Sequence, residues 1–403
     1  MTLFLLLPAS SLSPPSAAHF RVIRLMTSNA VSVRLLGELS KKLWGLDLRE
    51  WQRRAWTKAG ASGVDQAEGQ LLAGLEWVLS PSLQRNLLAQ PGAALLAPSE
   101  DGMGERLIAV HLPAGVNPTS VMALFEHQIT DRGTLKAAGL TPGDMHDFAD
   151  AYNKSLRKRE VPYVLSMRRE KTINIERVLF KGSYKGVTDL VTKYAWPVPA
   201  FHVTRLCAFL RISPNTVTTA SLVFVVIVFW LFWNGAWAAG LAAAWVMTFL
   251  DTVDGKLART TMTYSNWGNI YDHGIDLIHP PFWYWAMFVG LQGAAGGPSQ
   301  TLLTGSLAMI LAGYVLNRLE EGEFIRRFGF HIHVWQPIDS FMREITARRN
   351  PNMLIFMAAV IFGQPGWGFV AIAAWTLVCL LFHGGRLVQA MARKSKPASW
   401  LEI

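Results

Sequence analysis

The polarity of the chain changes once, near residue 212. Before that point apolar and polar residues alternate over short stretches. After it, apolar runs dominate, and a run of about 20 such residues is what a membrane-spanning helix requires. These runs lie near 216–234, 236–257, 267–290, 300–318, 350–363 and 366–387. The fifth is short unless Asn350–Asn352 extend it or it tilts. The pattern predicts six transmembrane helices. Upstream, Val31–Leu36, Ala93–Ala97 and Leu107–Leu112 read as strands, whereas Leu46–Ala59 and Thr141–Lys158 read as helices. Thr141-Pro-Gly-Asp144 has the form of a helix start, with Pro at the first helical position and an acid in the first turn. Strands alternating with helices predict a small soluble α/β domain.

The predicted organisation is a 1–29 extension, an α/β domain over 30–175, an interfacial segment over 176–215, an α-helical integral membrane domain over 216–390 and a basic tail over 391–403. Met1–Ala18 has an apolar core like that of a leader peptide but no basic n-region, and translation starting at Met26 is the equal alternative. In Gly182–Ser213, Tyr184, Tyr194, Trp196, Phe201 and Phe209 are interleaved with Lys185, Lys193, His202 and Arg205, as in a segment lying along a membrane surface. Asn215 is the expected cap of the first spanning helix.

Composition agrees with a membrane protein: 51% of the 403 residues are hydrophobic, 16% are charged, and there are 16 Trp and 21 Phe. Cys207 and Cys379 give no disulfide framework and sit in apolar contexts, so they read as packing residues. The net charge of +10 would suit nucleic acid if it were spread evenly, but its position argues for topology instead. Asn234–Trp237, Gln292–Gln300 and Gly363–Gly366 carry no charge, whereas the other connections hold Lys256 and Arg259, then Arg318, Arg326, Arg327, Arg343, Arg348 and Arg349, then Arg386, Arg393, Lys394 and Lys396. Alternation of basic loops predicts a multi-pass integral membrane protein with the acids and both termini in the cytoplasm, the membrane being the inner one if the chain is bacterial. Attraction to anionic lipid is a second effect of the same residues.

One group of charges is not explained by topology. Asp251, Asp254, Gly255, Ala258 and Arg259 end the second apolar run, and Gly268, Asp272 and Asp276 begin the third. A charge at the bilayer centre costs about 2.5–3.5 kcal/mol on insertion scales, so such residues point to function. Asp251 and Asp254 share a helical face, as do Asp272 and Asp276. Four acids from two helix ends suit hard divalent cations. The motif itself holds too few Lys or Arg residues to neutralise them.

The spacing Asp-x2-Asp-Gly-x2-Ala-Arg-x8-Gly-x3-Asp-x3-Asp resembles the signature of the CDP-alcohol phosphotransferases, also called CDP-alcohol phosphatidyltransferases, at all eight positions. The resemblance extends over roughly residues 180–390. It implies transfer of a substituted phosphoryl group from a CDP-alcohol, such as CDP-diacylglycerol, to an acceptor alcohol with release of CMP. It further implies that Asp251, Asp254, Asp272 and Asp276 bind two Mg²⁺ or Mn²⁺ ions, with Asp276 also acting as general base. Gly255, Ala258 and Arg259 would line the cytidine diphosphate site. Arg343, Arg348 and Arg349 are the candidates for a phosphorylated acceptor such as inositol phosphate or glycerol phosphate. Membrane lipids and a second copy of the chain are the implied partners, and nucleic acid is not. The domain order is similar to that of inositol-phosphate cytidylyltransferase/di-inositol phosphate synthases, but near the first strand there is only Gly37 where a glycine-rich nucleotidyl loop belongs, so the α/β domain reads as non-catalytic. A non-catalytic transport protein is the competing reading. It would place acids near the bilayer midplane within matching repeats, and no repeat is evident.

Overall fold

The computed structural model describes residues 31–402 apart from 100–103, 127–129, 150–151, 154–155 and 294–295; the expected 1–29 extension lies outside the described residues. Two compact units form. One covers the chain up to residue 151 and again Val161–Glu176; the other comprises Tyr152–Glu160 and everything from Arg177 onward. The break expected near residue 175 is thus interrupted by an earlier excursion, 152–160, that belongs with the second unit.

The first unit is an α/β layer. Its strands are β1 (Ser32–Leu36), β2 (Lys42–Leu43), β3 (Leu46–Asp47), β4 (Gly63–Val64), β5 (Leu71–Gly74), β6 (Trp77–Leu79), β7 (Ala93–Pro98), β8 (Glu105–His111) and β9 (Thr141–Gly143). Six of them make a mixed sheet in the order β4-β1-β5-β8-β7-β9. Val33, Leu72, Leu95, Ile108 and Val110 are fully buried within it. Helix α1 (Leu48–Ala59) starts two residues later than its apolar period suggests. Asp47 caps it by accepting the Arg49 amide, which leaves Leu46 and Asp47 free to pair with Lys42 and Leu43. The helices α2 (Pro81–Ala89), α3 (Pro118–Glu126) and α4 (Arg132–Ala137) complete this unit.

The helix expected over Thr141–Lys158 does not form. Thr141–Gly143 instead pairs parallel to Ala93–Leu95 at the edge of the sheet, where the missing N–H of Pro142 is tolerated. Asp144 Oδ1 then accepts the amides of His146 and Asp147, which closes a turn rather than starting a helix. Further on come β10 (Tyr152–Asn153) and β11 (Lys158–Arg159), an antiparallel hairpin, and then β12 (Val164–Ser166), which pairs with β6.

The second unit is helical. After α5 (Thr172–Gly182) come a π-turn over Val191–Ala195 and α6 (Pro197–Phe209), which exposes Val198, Leu206 and Phe209. Six further helices occupy the places of the six apolar runs: α7 (Pro214–Trp233), α8 (Trp237–Thr260), α9 (Asn266–Gly290), α10 (Gln300–Phe328), α12 (Arg349–Ile361) and α13 (Pro365–Ala392), with the short α11 (Pro337–Ile345) before α12. Three of these are long and apolar enough to cross a membrane, namely α7, α10 and α13. Helices α8 and α9 are interrupted by acids, and the 13 residues of α12 rise only about 20 Å, short of a hydrocarbon core of roughly 30 Å. Ser213, not Asn215, caps α7: its hydroxyl accepts the Thr216 amide and Pro214 takes the first helical position. Helix α10 outlasts its apolar run by a further ten residues because Phe324 is buried against Ile332, Trp335 and Ala390, and it stops only at Gly329, whose φ is 81°.

Candidate active site

Helix α7 lies against both α8 and α9, the two acid-bearing helices. Trp283 of α9 donates from Nε1 to the Val225 carbonyl at 3.0 Å, and Ser221 donates to the Met247 carbonyl at 3.4 Å. At the upper end of α7, Thr218 donates to Asp254 Oδ2 at 2.5 Å. Thr218 was not singled out from the sequence; its place one turn inside the Pro214 start, level with the acids, was the signal that could have found it.

The result is convergence of acids. One carboxylate oxygen from each of Asp251, Asp254 and Asp272 lies within 4.8 Å of the other two. Asp254 is buried, and its Oδ1 has no hydrogen-bond partner. An orphaned buried carboxylate oxygen facing two more carboxylates fits a cation, since an unpaired buried acceptor costs about 1–3 kcal/mol. The donor set is all oxygen, the preference of hard divalent ions.

Asp276 has a different neighbour. Arg349, at the start of α12, donates from Nη1 to Asp276 Oδ1 at 2.7 Å and from Nη2 to Asp251 Oδ2 at 2.5 Å. The acids therefore do have a cationic partner, supplied from outside the motif. Arg349 was expected beside the acceptor; both of its Nη atoms are engaged by carboxylates instead. The Asp276 side chain keeps 41% of its surface exposed, against 17% for Asp251, so it is the more accessible of the two.

The small residues of the motif have visible reasons. The Arg259 guanidinium folds back over Gly255, so that a Cβ at Gly255 would lie 3.0 Å from Nη2. A Cβ at Gly268 would lie 3.0 Å from Asn215 Oδ1, and the Gly268 amide is taken by the Ser265 hydroxyl that caps α9. Arg259 Nε is buried without a partner. Helix α9 continues through Pro280 and Pro281 as one element. Pro281 leaves the Leu277 carbonyl without its helical donor, and the Tyr314 hydroxyl supplies one at 2.7 Å.

Most of the basic residues expected around this face have other partners. Arg318 bonds the Tyr314 hydroxyl, Arg326 and Arg327 pair with Glu323, and Arg386 pairs with Asp339 and Gln336. Arg348 pairs with Glu321, which also bonds His333 at 3.1 Å. Arg343 Nε is buried without a partner. Lys185 is surrounded by like charge: its burial, with Arg157, Arg259 and Arg343 nearby and only Asp272 opposing them, pushes the ammonium down to about 8. Lys256 lies over the Tyr184 ring at 3.1 Å.

Comparison with known families matches part of the chain. Residues 211–334 match the family model described as CDP-alcohol phosphatidyltransferase, a span that contains all four acids, Gly255, Ala258, Arg259 and Gly268. No curated protein matches the chain. Arg343, Arg348, Arg349 and Lys185 lie outside the matched span.

Proposed function

We propose that this chain, a membrane protein with a CDP-alcohol phosphatidyltransferase domain over residues 211–334, transfers a phosphatidyl-type group from a CDP-alcohol to an acceptor alcohol and releases CMP. The observation that carries the reading is the meeting of Asp251, Asp254 and Asp272 oxygens within 4.8 Å beside the Arg259 guanidinium. CDP-diacylglycerol is the proposed donor, and the cations Arg343 and Arg348 support a phosphorylated acceptor such as glycerol phosphate or inositol phosphate. The six helices are proposed to cross the membrane, the inner one if the chain is bacterial, with the acids and both termini on the cytoplasmic side.

Asp251, Asp254 and Asp272 would hold Mg²⁺ or Mn²⁺, and Asp276 would join them if two ions bind. Such ions, when bound, neutralise the pyrophosphate and stabilise the leaving CMP oxygens. The protein's own residues do the rest. Arg259 presents a fork of donors to the donor phosphates, and the missing side chain at Gly255 leaves room for it. Asp276 takes the proton of the acceptor hydroxyl as that oxygen bonds to phosphorus and the bond from phosphorus to CMP breaks. Arg349 orients Asp276 and Asp251 and offsets their repulsion. Thr218 fixes the rotamer of Asp254. Positioning and electrostatics of this kind supply most of the catalysis in phosphoryl transfer.

The first unit is proposed to be a scaffold. The stretch after β1, where a nucleotide-binding loop would lie, is held by its own basic residues: Arg49 donates to the Gly37 carbonyl at 2.9 Å, Arg168 to the Glu38 carbonyl at 3.3 Å, and Lys41 to the Met167 carbonyl at 2.5 Å. Arg49 also pairs with Asp65.

The test is CMP release from CDP-diacylglycerol by the purified full chain with Mn²⁺ and each of glycerol phosphate, inositol phosphate, serine and inositol. Release with one acceptor, lost on chelation and restored by Mn²⁺, is the expected result. No release with any acceptor in the presence of metal would sink the reading.

A further inference from the structure

The excursion of residues 152–160 into the helical unit has a cost and a reason. Its hairpin pairs Tyr152 with Arg159 and Asn153 with Lys158. It is tied down by the segment leading to the membrane helices: Gly186 donates its amide to the Leu156 carbonyl at 2.8 Å, and Lys158 reaches the Gly182 carbonyl at 2.5 Å. The approach is so close that a Cβ at Gly186 would stand 2.4 Å from the Arg157 carbonyl. Arg159 extends the anchoring to the Leu401 carbonyl at 3.3 Å. Between these contacts sits Arg157, with φ at 52°. A left-handed backbone is disfavoured for a long side chain, and residues held so against preference gather at sites where the position matters.

What Arg157 faces explains the position. Its charge acts on Arg348, Glu321, His331 and Lys185, and Lys185 in turn is close enough to feel Arg259, Arg343 and Asp272. Arg157, Lys185, Arg343 and Arg348 thus form a cluster of cations beside the catalytic acids. The nearby acids balance it only in part. Glu321 is already shared by Arg348 and His333, and Asp189 accepts from the amides of Val191 and Thr192 and from Asn350 at 2.9 Å. Among the described residues Arg157, Lys185 and Arg343 form no ion pair, and partly buried cations left so are completed by an anion.

We infer that Arg157 lies at the acceptor subsite and binds the phosphomonoester of a phosphorylated alcohol, giving the enzyme its preference over the unphosphorylated alcohol. The inference rests on the phosphatidyl-transfer reading. It adds to that reading a specificity residue from a stretch of chain that precedes the matched span by more than fifty residues. Lys185 and Arg343 complete the same cradle, and Gly186 is a positioning residue that lets the turn come close.

The test uses the full chain in neutral-lipid micelles. Arg157→Asn suits the left-handed backbone and removes the charge; Arg157→Lys keeps a charge without the fork. With glycerol 3-phosphate or inositol phosphate as acceptor, Arg157→Asn is expected to raise KM roughly 10- to 100-fold, the loss of one charge-assisted hydrogen bond, while Arg157→Lys falls between. The KM for CDP-diacylglycerol should not move, nor should use of glycerol or inositol. Gly186→Ala should reproduce the acceptor effect without changing a charge. Binding is read separately: inositol phosphate, without donor or metal, should raise the thermal midpoint of the wild type and not of Arg157→Asn. An equal acceptor KM and an equal thermal shift in wild type and Arg157→Asn would overturn the inference while leaving the transfer reading in place. A differential thermal shift with no CMP release from the wild type would sink the transfer reading and keep the anion site. A defect seen only in phosphatidylglycerol vesicles would assign Arg157 to a lipid headgroup and overturn the acceptor role.

Discussion

The two sides of the site are built in opposite ways. The acids come from two consecutive helices, at positions separated by three, eighteen and four residues along one short stretch. The cations come from Arg157 in a hairpin, Lys185 in a linker, Arg343 on α11 and Arg348 and Arg349 at the start of α12. The first arrangement is fixed by local geometry, since residues three or four apart on a helix share a face. The second depends on long-range folding. This division matches the comparison with known families, in which the acids fall inside residues 211–334 and all of these cations outside. A chain that keeps the reaction and varies the acceptor would be expected to vary in this way.

Breaking the acid side should have the larger effect. Asp276→Asn removes the proposed base and is expected to lower kcat by roughly 10²- to 10⁴-fold while CDP-alcohol binding survives. Single-turnover CMP release beside equilibrium donor binding checks this, and loss of binding as well would withdraw the base assignment. Next comes the joint between the two sides. Arg349→Gln leaves Asp251 and Asp276 without their partner, at a cost of about 1–3 kcal/mol, between the exposed and buried limits for ion pairs. Because the loss is of positive charge, Mn²⁺ should restore more of the melting temperature in this variant than in the wild type. Equal rescue would mean that Arg349 does not substitute for a cation.

Gly255→Ala sharpens the comparison within the acid side. Its Cβ would press on Arg259 Nη2 at 3.0 Å, yet alanine favours a helix over glycine by about 1 kcal/mol. The variant should melt higher and bind the CDP-alcohol several-fold more weakly, a split that thermal denaturation and donor KM measure together. The smallest effect concerns pH on the cation side. Lys185, held near 8 by burial among Arg157, Arg259 and Arg343 against Asp272 alone, loses its charge as pH rises past that value. Acceptor KM should therefore rise a few-fold between about pH 7 and pH 9. Stability should move the other way. The unfolded chain keeps this proton up to the ordinary lysine value near 10.4, so between the two values unfolding takes up a proton and the folded state gains as pH rises. A Lys185→Met variant should flatten both trends.

Legibility followed the same division. The six apolar runs and the acid motif could be read from the sequence because periodicity and spacing are local quantities. The end of α10 could not, since it continues on polar turns held by Phe324 among distant aromatics. Thr141–Asp144 misled because Pro and Asp serve an edge strand and a turn as readily as a helix start, and only pairing with Ala93–Leu95 decides between them. The partner of Asp251 and Asp276 was invisible for a similar reason: Arg349 lies 73 residues beyond Asp276 and looks like one topological charge among several. Arg157 carries no signal at all until the left-handed backbone and the contact with Gly186 are seen.

The hydroxyl of Tyr314 on the Leu277 carbonyl has a mechanical consequence. With two prolines in succession, α9 carries Asp272 and Asp276 on one side of them and, on the other, Trp283 and Met287 packed into the core of the helical unit. The pin between the two sides is not part of α9 but belongs to α10, the helix that also carries Glu321, the partner of Arg348. A ligand drawing on Arg348 would therefore pull on the same helix that steadies the segment one residue past Asp276. Arrival of the acceptor and alignment of the base would then be two ends of one lever. Tyr314→Phe should disconnect them, leaving acceptor binding intact and removing its effect on the environment of Asp276.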